Sequence, residues 1–240
     1  MRQPHMLQSD AENPLYRRFL DGRADQPRID KWHHYFDVYH ANFAPFRGRP
    51  ITMLEIGVQR GGSLRMWQEY FGPEARIHGM DIDPACAAQA LPGGKVFIGD
   101  QADPAVLRGV LAEIGPPDIV LDDGGHTMKQ MITSFQVLYH AMRAPGVYLV
   151  EDTHTALWGG PFADHPEGRT IYDLAFAVCR RLQEWTGQRA SFGRLGLPPE
   201  ERGPGPQVSD ICRMTRSVAF HDSMIVFQRG ARQEPWRQTR

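Results

Sequence analysis

Five short apolar segments alternate with helical patterns between residues 51 and 152, and this alternation restricts the fold more than any other feature. The apolar segments are 51–56, 76–82, 95–99, 118–123 and 146–152, and the helical patterns among them cover 63–70, 104–114 and 128–142. Strands that read as continuous apolar runs between helices are typical of a parallel sheet covered on both faces. The sequence therefore predicts an α/β fold with a doubly wound, mostly parallel sheet.

The segments around this core predict one domain with attachments. Residues 1–29 are polar and interrupted by prolines, which indicates an N-terminal arm, and residues 30–240 are predicted to form the domain. Within 30–47, aromatic residues near helical spacing indicate a helix that packs on the sheet or closes as a lid, with Asp30 as its N-cap. The elements expected after the fifth strand are a loop at 153–170, a helix at 171–185 that stops at Gly187, a loop at 188–210, and an antiparallel hairpin that turns at His221 and Asp222.

The composition argues against several classes of protein. The chain has 240 residues with 27 Lys and Arg against 28 Asp and Glu, and a formal net charge of −1 indicates neither nucleic-acid nor membrane binding. No apolar run approaches the roughly 20 residues that span a bilayer, and the N-terminus lacks the apolar segment of a secretory signal. Three scattered cysteines form no CxxC pair. We expect a cytoplasmic protein that binds a small molecule and forms a homo-oligomer.

A glycine-containing turn follows the first strand. The stretch LEIGVQRGGSLRMW places Glu55 on the strand, then Gly57 and Gly61 in the turn, and opens a helix near Ser63. Such a turn lets the backbone approach a ligand while the N–H groups of the helix face it. The spacing GxxxG resembles the first motif of class I S-adenosylmethionine-dependent methyltransferases, and it differs from the dinucleotide pattern GxGxxG. We therefore expect these four residues to bind S-adenosylmethionine.

The next two strand ends extend this predicted cofactor site. Asp81 ends the second strand in GMDID, where a carboxylate can accept both ribose hydroxyls. Asp100 and Gln101 follow the third strand, where they could meet the adenine edge. Each feature alone also fits a structural role, because glycine turns serve packing and aspartates cap helices. Their order along consecutive strands favours a cofactor, since ligands of open α/β sheets bind at this edge.

Acidic residues and a histidine follow the fourth and fifth strands. The stretch IVLDDGGHTM contains Asp122, Asp123 and His126, and LVEDTH contains Glu151 and Asp152. Neighbouring strand ends would bring these like charges together, and a hard divalent cation resolves that conflict. We expect Asp123, Glu151 and Asp152 to bind Mg²⁺. His126 would lie beside the metal without being a ligand, where a neutral imidazole can act as general base.

A plainer interpretation of DDGGH stays open. Asp122 and Asp123 could cap the following helix, with His126 as a surface residue. The acidic pair at the next strand end weighs against this interpretation. Asp122 is expected either on the cofactor side or as a brace of the turn, and the two glycines are expected to permit the bend that places His126.

Several stretches, taken in order, carry a resemblance to one family. They are DKWHHYFDVYHANFAPFRGRPITMLEIGVQRGGSLRMWQEYF, GMDID, GDQAD, DIVLDDGGH and YLVEDTHTALW, with FHDSMIVFQRG near the end of the chain. Together they resemble the metal-dependent sugar O-methyltransferases of macrolide biosynthesis, of the mycinamicin and demethylmacrocin type. The resemblance implies a Rossmann-like class I methyltransferase fold with an N-terminal helical extension, Mg²⁺ on Asp123, Glu151 and Asp152, and His126 as base. It also implies that the metal holds two vicinal sugar hydroxyls, one of which attacks the sulfonium methyl.

Residues outside these motifs are candidates for the acceptor side. Trp158 and Phe162 lie on the long loop after the fifth strand, where they could stack on a sugar or an aglycone. His154 either shapes this loop or assists as a second base. Lys31 and His34 are further candidates to reach the site from the aromatic segment, whose rings otherwise serve packing.

The predicted acceptor is the sugar of a glycosylated natural product or a glycan, methylated with S-adenosylmethionine and Mg²⁺. Two other functions stay open at this stage. The same fold and cofactor could serve a catechol or another vicinal diol. Alternatively, the chain could be a non-catalytic Rossmann-fold protein that binds a nucleotide or serves as a scaffold.

Overall fold

A seven-stranded sheet organises the part of the chain that the computed structural model describes, which is residues 10, 12–22 and 27–238. The strands are β1 (Thr52–Ile56), β2 (Arg76–Asp81), β3 (Val96–Ile98), β4 (Ile119–Asp122), β5 (Gly146–Val150), β6 (Thr215–His221) and β7 (Met224–Arg229). The helices are α1 (Pro14–Leu20), α2 (Tyr35–Phe43), α3 (Gly62–Phe71), α4 (Pro104–Ile114), α5 (Met128–Ala141), α6 (Ile171–Arg181) and α7 (Asp210–Met214).

The strand order β3-β2-β1-β4-β5-β7-β6 brings the sequence motifs to one edge of the sheet. The first five strands are parallel, while β7 runs antiparallel to both β5 and β6. Ile56 at the end of β1 pairs with Asp122 at the end of β4, which in turn pairs with Val150 at the end of β5. The fold is therefore the predicted doubly wound α/β sheet with a C-terminal hairpin, and the residues that follow β1, β4 and β5 are neighbours.

Two apolar layers enclose the sheet, one on each face. Helices α1, α2 and α3 pack with Met53 and Leu121 on one face, and α4, α5 and α6 pack with Leu54 and Val120 on the other. Alternate residues of one strand serve opposite layers because successive side chains of a strand point to opposite faces. This double coverage explains why β1, β4 and β5 read as continuous apolar runs in the sequence.

The N-terminal region differs from the sequence prediction in two respects. Asp30 is not a helix cap, because α2 begins only at Tyr35 with His34 at the N-cap position. The interpretation of the first residues as an arm is wrong for Pro14–Leu20, a helix whose cap Asn13 accepts hydrogen bonds from two backbone amides. The signal was present as Asn-Pro, since asparagine favours the N-cap and proline the first helical position. The rest of the predicted arm falls largely outside the described residues.

The region between β5 and the hairpin has one shorter helix and several additional short helical turns compared with the prediction. Helix α6 ends at Arg181, short of the predicted 171–185, and turns lead from there to Gly187. The predicted loop at 188–210 contains three short 3₁₀ turns and runs into α7, which the sequence analysis missed. None of the helices within the described ranges combines the length and apolar character needed to cross a bilayer.

Candidate active site

A cleft opens at the C-terminal edge of β1, β2 and β4, where the sequence predicts the cofactor. Its lining includes Gly57, Gln59, Asp81, Gln101, Asp123 and Gly124. The ends of the four adjacent parallel strands β3, β2, β1 and β4 supply these residues, as is general for ligand sites in open α/β sheets.

Gly57 is the position of closest approach between the loops that follow β1 and β4. Its φ is +91°, and a Cβ added here would lie 1.9 Å from the carbonyl oxygen of Asp123. A larger residue at this position would therefore push the glycine turn away from the acidic strand end. Glycine is required at this position for two reasons: the backbone of the loop after β4 approaches it closely, and its own backbone has a left-handed conformation.

Gly57→Ala is expected to destabilise the fold by about 1–3 kcal/mol more than Gly72→Ala, because only the first substitution creates a collision. Gly72 is a matched control, since its φ is +98° but open space surrounds the added Cβ. Thermal unfolding of both variants measures the difference, and calorimetry with S-adenosylhomocysteine should show a loss of affinity only for Gly57→Ala. Equal effects on stability and affinity would show that the collision is relieved at no cost.

Asp81 braces the glycine turn from the neighbouring strand. Its Oδ2 accepts hydrogen bonds from the amides of Val58 at 2.8 Å and Gln59 at 3.0 Å, and its Oδ1 accepts from Asp83 at 3.0 Å. Burial alone would raise the pKa of Asp81, but these backbone donors lower it overall. The carboxylate lines the cleft as an anion, and its contact with ribose stays a prediction.

Glu55 and Ser63 form a pair beneath the turn. Glu55 is fully buried and accepts hydrogen bonds from Ser63 Oγ at 2.8 Å and Trp67 Nε1 at 3.2 Å. Burial raises the pKa of Glu55 to about 7, although the charge of Lys31 opposes the shift. Gly61, with φ of +72°, forms the N-cap of α3 beside them. The geometry gives Glu55 and Ser63 partners within the protein, and their contact with the cofactor stays a prediction.

Asp122 and Gln101 brace the turn after β4 from inside. Asp122 is 1 % exposed and accepts hydrogen bonds from Gln101 Nε2 at 2.8 Å and the Tyr148 hydroxyl at 3.0 Å. Gln101 also donates to Ser134 Oγ and accepts from the amide of Gly125. These bonds give Asp122 the bracing role that was one of its two predicted roles. They also occupy the donor hydrogens of Gln101 that adenine recognition would need.

Asp100 has a different environment from Gln101. It is exposed, and its Oδ1 accepts the amide of Ala102 at 2.8 Å in a local turn. A carboxylate that bonds the amide two residues on is typical of an Asx turn. The geometry of Asp100 is therefore that of turn chemistry, and its predicted contact with adenine has no support from its neighbours.

The DDGGH turn excludes one of the two sequence interpretations, that of the aspartates as helix caps. Thr127 caps α5 and forms a capping box with Gln130, so the two aspartates are not helix caps. The chain bends at Gly124 and Gly125, where the sequence predicts the bend, and His126 follows with a left-handed φ of +58°. A Cβ at Gly124 would lie 1.8 Å from Gln101 Oε1, so this glycine makes room for the bracing side chain.

Asp123, His126 and Asp152 converge at the edge of the cleft. One potential ligand atom from each lies within 4.8 Å of the others. His126 Nε2 is 3.6 Å from Asp152 Oδ2 and 3.9 Å from Asp123 Oδ1, while His126 Nδ1 is buried and finds no hydrogen-bond partner among the described residues. The structure therefore brings together three of the four residues predicted for metal and base, with the imidazole directly beside both carboxylates.

Glu151, the fourth of these residues, faces Lys31. Both carboxylate oxygens of Glu151 lie 3.0 Å from Lys31 Nζ, which also forms an ion pair with Asp123 and lies 3.9 Å from Glu55 Oε1. Burial alone would lower the pKa of Lys31, but the surrounding carboxylates raise it above its ordinary value. The ammonium group therefore stays charged and compensates the acidic residues, which places Lys31 in the site as the sequence analysis considered.

Two tyrosines of α2 donate hydrogen bonds to the two acidic residues that follow β5. The Tyr35 hydroxyl donates to Asp152 Oδ1 and the Tyr39 hydroxyl donates to Glu151 Oε1, each at 2.6 Å. From the sequence, the aromatic rings of this segment are predicted to pack on the sheet or to close as a lid, and neither prediction includes these hydrogen bonds. Their spacing of four residues was the available signal, since it places two phenols on one face of a helix and buried phenols need partners. His34 differs, because its Nε2 lies 3.3 Å from the Asp222 carbonyl.

A row of aromatic rings borders the site on the side of the loop after β5. His154 lies between Trp32 and Trp158, with ring centroids 6.2 Å and 4.9 Å away, and Phe162 follows at 5.1 Å from Trp158. Trp32 and Trp158 are 55 % and 61 % exposed. Large exposed rings in a continuous row are suited to bind a ligand with apolar surface.

Known proteins share this arrangement of elements. The chain is 40 % identical over 227 residues to the 8-demethyl-8-alpha-L-rhamnosyl tetracenomycin-C 2'-O-methyltransferase of Streptomyces olivaceus. This alignment covers 88 % of this chain and 55 % of the relative. It is 35 % identical over 229 residues to the demethylmacrocin O-methyltransferase of Streptomyces fradiae, covering 92 % and 54 %. The MycE methyltransferase of the mycinamycin biosynthetic pathway, solved in complex with Mg, SAH and mycinamycin VI, aligns with a TM-score of 0.71 and 26 % identity over 93 % of this chain and 54 % of MycE.

The chain is therefore similar, over most of its own length, to sugar O-methyltransferases. The resemblance inferred from the motifs is thereby confirmed, as is the class I methyltransferase fold. The chain spans about half the length of the curated relatives it matches. No family model matches the sequence.

The residues of the acidic cluster fit a divalent cation. Carboxylate oxygens of Asp123 and Asp152 lie within 4.8 Å of each other, with a nitrogen of His126 beside them, and carboxylate oxygens suit Mg²⁺. The ammonium of Lys31 between Asp123 and Glu151 shows that the cluster already binds positive charge. Glu151 as a ligand stays a prediction, because Lys31 and Tyr39 occupy its oxygens.

Proposed function

We propose that this chain is an O-methyltransferase that moves the methyl group of S-adenosylmethionine to a sugar hydroxyl of a glycosylated small molecule and that requires Mg²⁺. One observation carries the proposal. The cluster of Asp123, His126 and Asp152 lies at the same sheet edge as the cleft after β1 and β2, in a chain similar to sugar O-methyltransferases. Methyl transfer to a hydroxyl needs a base beside a metal site and a cofactor cleft at the same edge.

The residues divide into two binding sets under this proposal. Asp123, Glu151 and Asp152 would hold Mg²⁺. The cofactor set proposed from the sequence and kept here is Glu55, Gly57, Gly61, Ser63 and Asp81. The other three residues of the predicted set, Asp100, Gln101 and Asp122, make turn or bracing contacts within the protein. When bound, the sulfonium supplies an electrophilic methyl group and the metal lowers the pKa of a coordinated hydroxyl.

His126 would carry the proton-transfer step. Its Nε2 points to the space between Asp123 and Asp152, where it can take the proton of an acceptor hydroxyl. The two carboxylates stabilise the positive charge that develops on the ring as the proton arrives. The sulfonium of S-adenosylmethionine already has a good leaving group, the thioether of S-adenosylhomocysteine. The remaining task of the protein is to place the hydroxyl in line with the methyl group.

The aromatic row would bind the acceptor. Trp158 is exposed and lies between Phe162 and His154, and His154 is the member of the row nearest to the acidic cluster in the chain. A sugar held at the cluster would place its aglycone against these rings. The named relatives include enzymes for rhamnosyl tetracenomycin and for demethylmacrocin, so we propose a glycosylated polyketide as the acceptor class.

Removal of the metal tests the proposal. With radiolabelled S-adenosylmethionine and a panel of rhamnosylated polyketides, transfer is expected to stop in EDTA and to return when Mg²⁺ exceeds the chelator. Catechols in the same panel serve as the contrasting acceptors. Undiminished transfer in EDTA would contradict the metal requirement, and transfer to catechols alone would contradict the sugar acceptor.

Calorimetry with S-adenosylhomocysteine provides the companion measurement. Micromolar binding is expected if the cleft is a cofactor site. Failure to bind at millimolar ligand would favour a non-catalytic member of the fold. Self-association, predicted from the sequence, is measured in the same preparation by sedimentation.

A further inference from the structure

One buried hydroxyl connects the two strand ends that carry the proposed metal ligands and the base. Thr155 is 2 % exposed, and its Oγ1 lies 2.8 Å from the carbonyl oxygen of His126 and 2.9 Å from that of Asp152. The hydroxyl can donate its single proton to either carbonyl, and the Asp152 carbonyl also accepts the amide of Thr155 at 3.0 Å, so donation to His126 leaves both carbonyls with a partner. A residue of the loop after β5 therefore holds the backbone of the proposed base.

Both residues that meet this hydroxyl have a left-handed backbone conformation. φ is +58° at His126 and +51° at Asp152. Residues with a Cβ avoid this region, and it persists at functional sites only where surrounding contacts determine it. Loss of the bond to the His126 carbonyl would free this peptide to relax, and the imidazole would move with it.

The same loop makes a second contact just beyond His126. Asp164 accepts hydrogen bonds from Thr127 Oγ1 and from the amide of Lys129, each at 2.8 Å. Thr127 is the N-cap of α5 and follows His126 directly in the chain. The loop 153–170 thus supports the base from both sides, through Thr155 before the cap and through Asp164 at the cap.

We infer that Thr155 is a positioning residue whose hydroxyl fixes the His126 turn and keeps the imidazole beside Asp152. The hydrogen bond of Thr155 makes the loop that carries Trp158 and Phe162 part of the support of the base. A change in this loop on acceptor binding would therefore also change the position of His126. The inference rests on the proposed function, because His126 is the base only there. The conformational role of Thr155 can be measured without any turnover.

Three variants separate positioning from general packing. Thr155→Val removes the hydroxyl and keeps the branched shape, whereas Thr155→Ser keeps the hydroxyl. Thr153→Val is the matched control, since Thr153 is fully buried in the same turn but pairs with the Tyr172 hydroxyl at 3.2 Å, away from His126.

For Thr155→Val, kcat is expected to fall at least about tenfold while KM for S-adenosylmethionine and Kd for Mg²⁺ change less than about threefold, because a displaced base slows the chemical step and not binding. Thr155→Ser should recover most of the rate, and Thr153→Val should keep it. Equal losses in both valine variants would overturn the inference, since a packing defect would then explain them.

The Cα and Cβ chemical shifts of His126 in histidine-labelled protein report its φ independently of activity. They are expected to move away from left-handed values in Thr155→Val and to stay unchanged in Thr153→Val. Left-handed shifts retained in Thr155→Val would overturn the inference. If the shifts move but the wild-type protein methylates no acceptor, the positioning role is supported and the proposed function fails.

Discussion

Replacing His126 with asparagine is expected to lower kcat by about 10²- to 10⁴-fold, the usual contribution of a general base. The imidazole lies beside Asp123 and Asp152 but beyond hydrogen-bond distance of either, so it is free to take a proton from an acceptor placed there. Asparagine is the informative replacement because it tolerates a φ of +58° and cannot accept a proton near neutral pH. Initial rates with a glycoside acceptor measure the loss.

The affinities for Mg²⁺ and S-adenosylhomocysteine should stay within about threefold in His126→Asn, since the carboxylates and the cleft are unchanged. His34→Asn is the control. His34 is the N-cap residue of α2 and lies near the Asp222 carbonyl, so its loss should leave turnover close to that of the wild type. If His126→Asn lowered turnover, metal affinity and cofactor affinity equally, the stretch would be a structural turn and not a catalytic one.

Replacing Lys31 with methionine is expected to lower the free energy of unfolding by about 3–5 kcal/mol, because removing one partner leaves buried charges without compensation. Lys31 has 3 % of its side chain exposed, and Glu151 has 1 %. Burial already raises the pKa of Asp123 and Glu151, so the charged forms of these two carboxylates depend most on the ammonium group of Lys31. Methionine keeps the length of the side chain, and a fall in Tm on the order of 10 °C is the expected measurement for a chain of this size.

Mg²⁺ should restore part of the stability of Lys31→Met. A divalent cation bound only to the folded state stabilises it, and it would replace the charge that lysine provided. The rise in Tm on adding Mg²⁺ should therefore be larger in the variant than in the wild type. Lys95→Met is the control, because the Lys95–Glu113 ion pair is exposed and such pairs contribute little. Equal responses to Mg²⁺ in Lys31→Met and the wild type would contradict a shared site for the ammonium and the metal.

Local patterns predicted the strands and most helices because each rests on residues a few positions apart. Helix α4 occupies the predicted range, and α3 and α5 differ from prediction by one residue at their ends. Helix α1 was missed because a seven-residue helix carries little periodicity. Asp30 was misassigned as a cap because several residues of an extended segment separate it from the first turn of α2.

Within the site, the sequence predicted which strand ends carry chemistry but not how their side chains divide the work. Asp122 and Asp123 are adjacent, yet one is a buried brace and the other faces Lys31. The glycines of DDGGH form the bend that the sequence predicts, but the left-handed conformation of His126 was not predicted. The role of each side chain depends on the hydrogen-bond and ion-pair partners that other strands and helices provide. The order of residues in the chain does not show which partners these are.

By itself, the sequence determined the sheet, the edge at which acidic and glycine motifs collect, and the resemblance to sugar O-methyltransferases, because apolar periodicity and short motifs are local. Only the tertiary structure decided that Lys31 compensates Glu151, that Tyr39 holds it, and that Thr155 holds His126. These contacts join residues 120, 112 and 29 positions apart. Hydrogen bonds and ion pairs act over a few ångströms, so the path of the whole chain must bring the partners together before they can form.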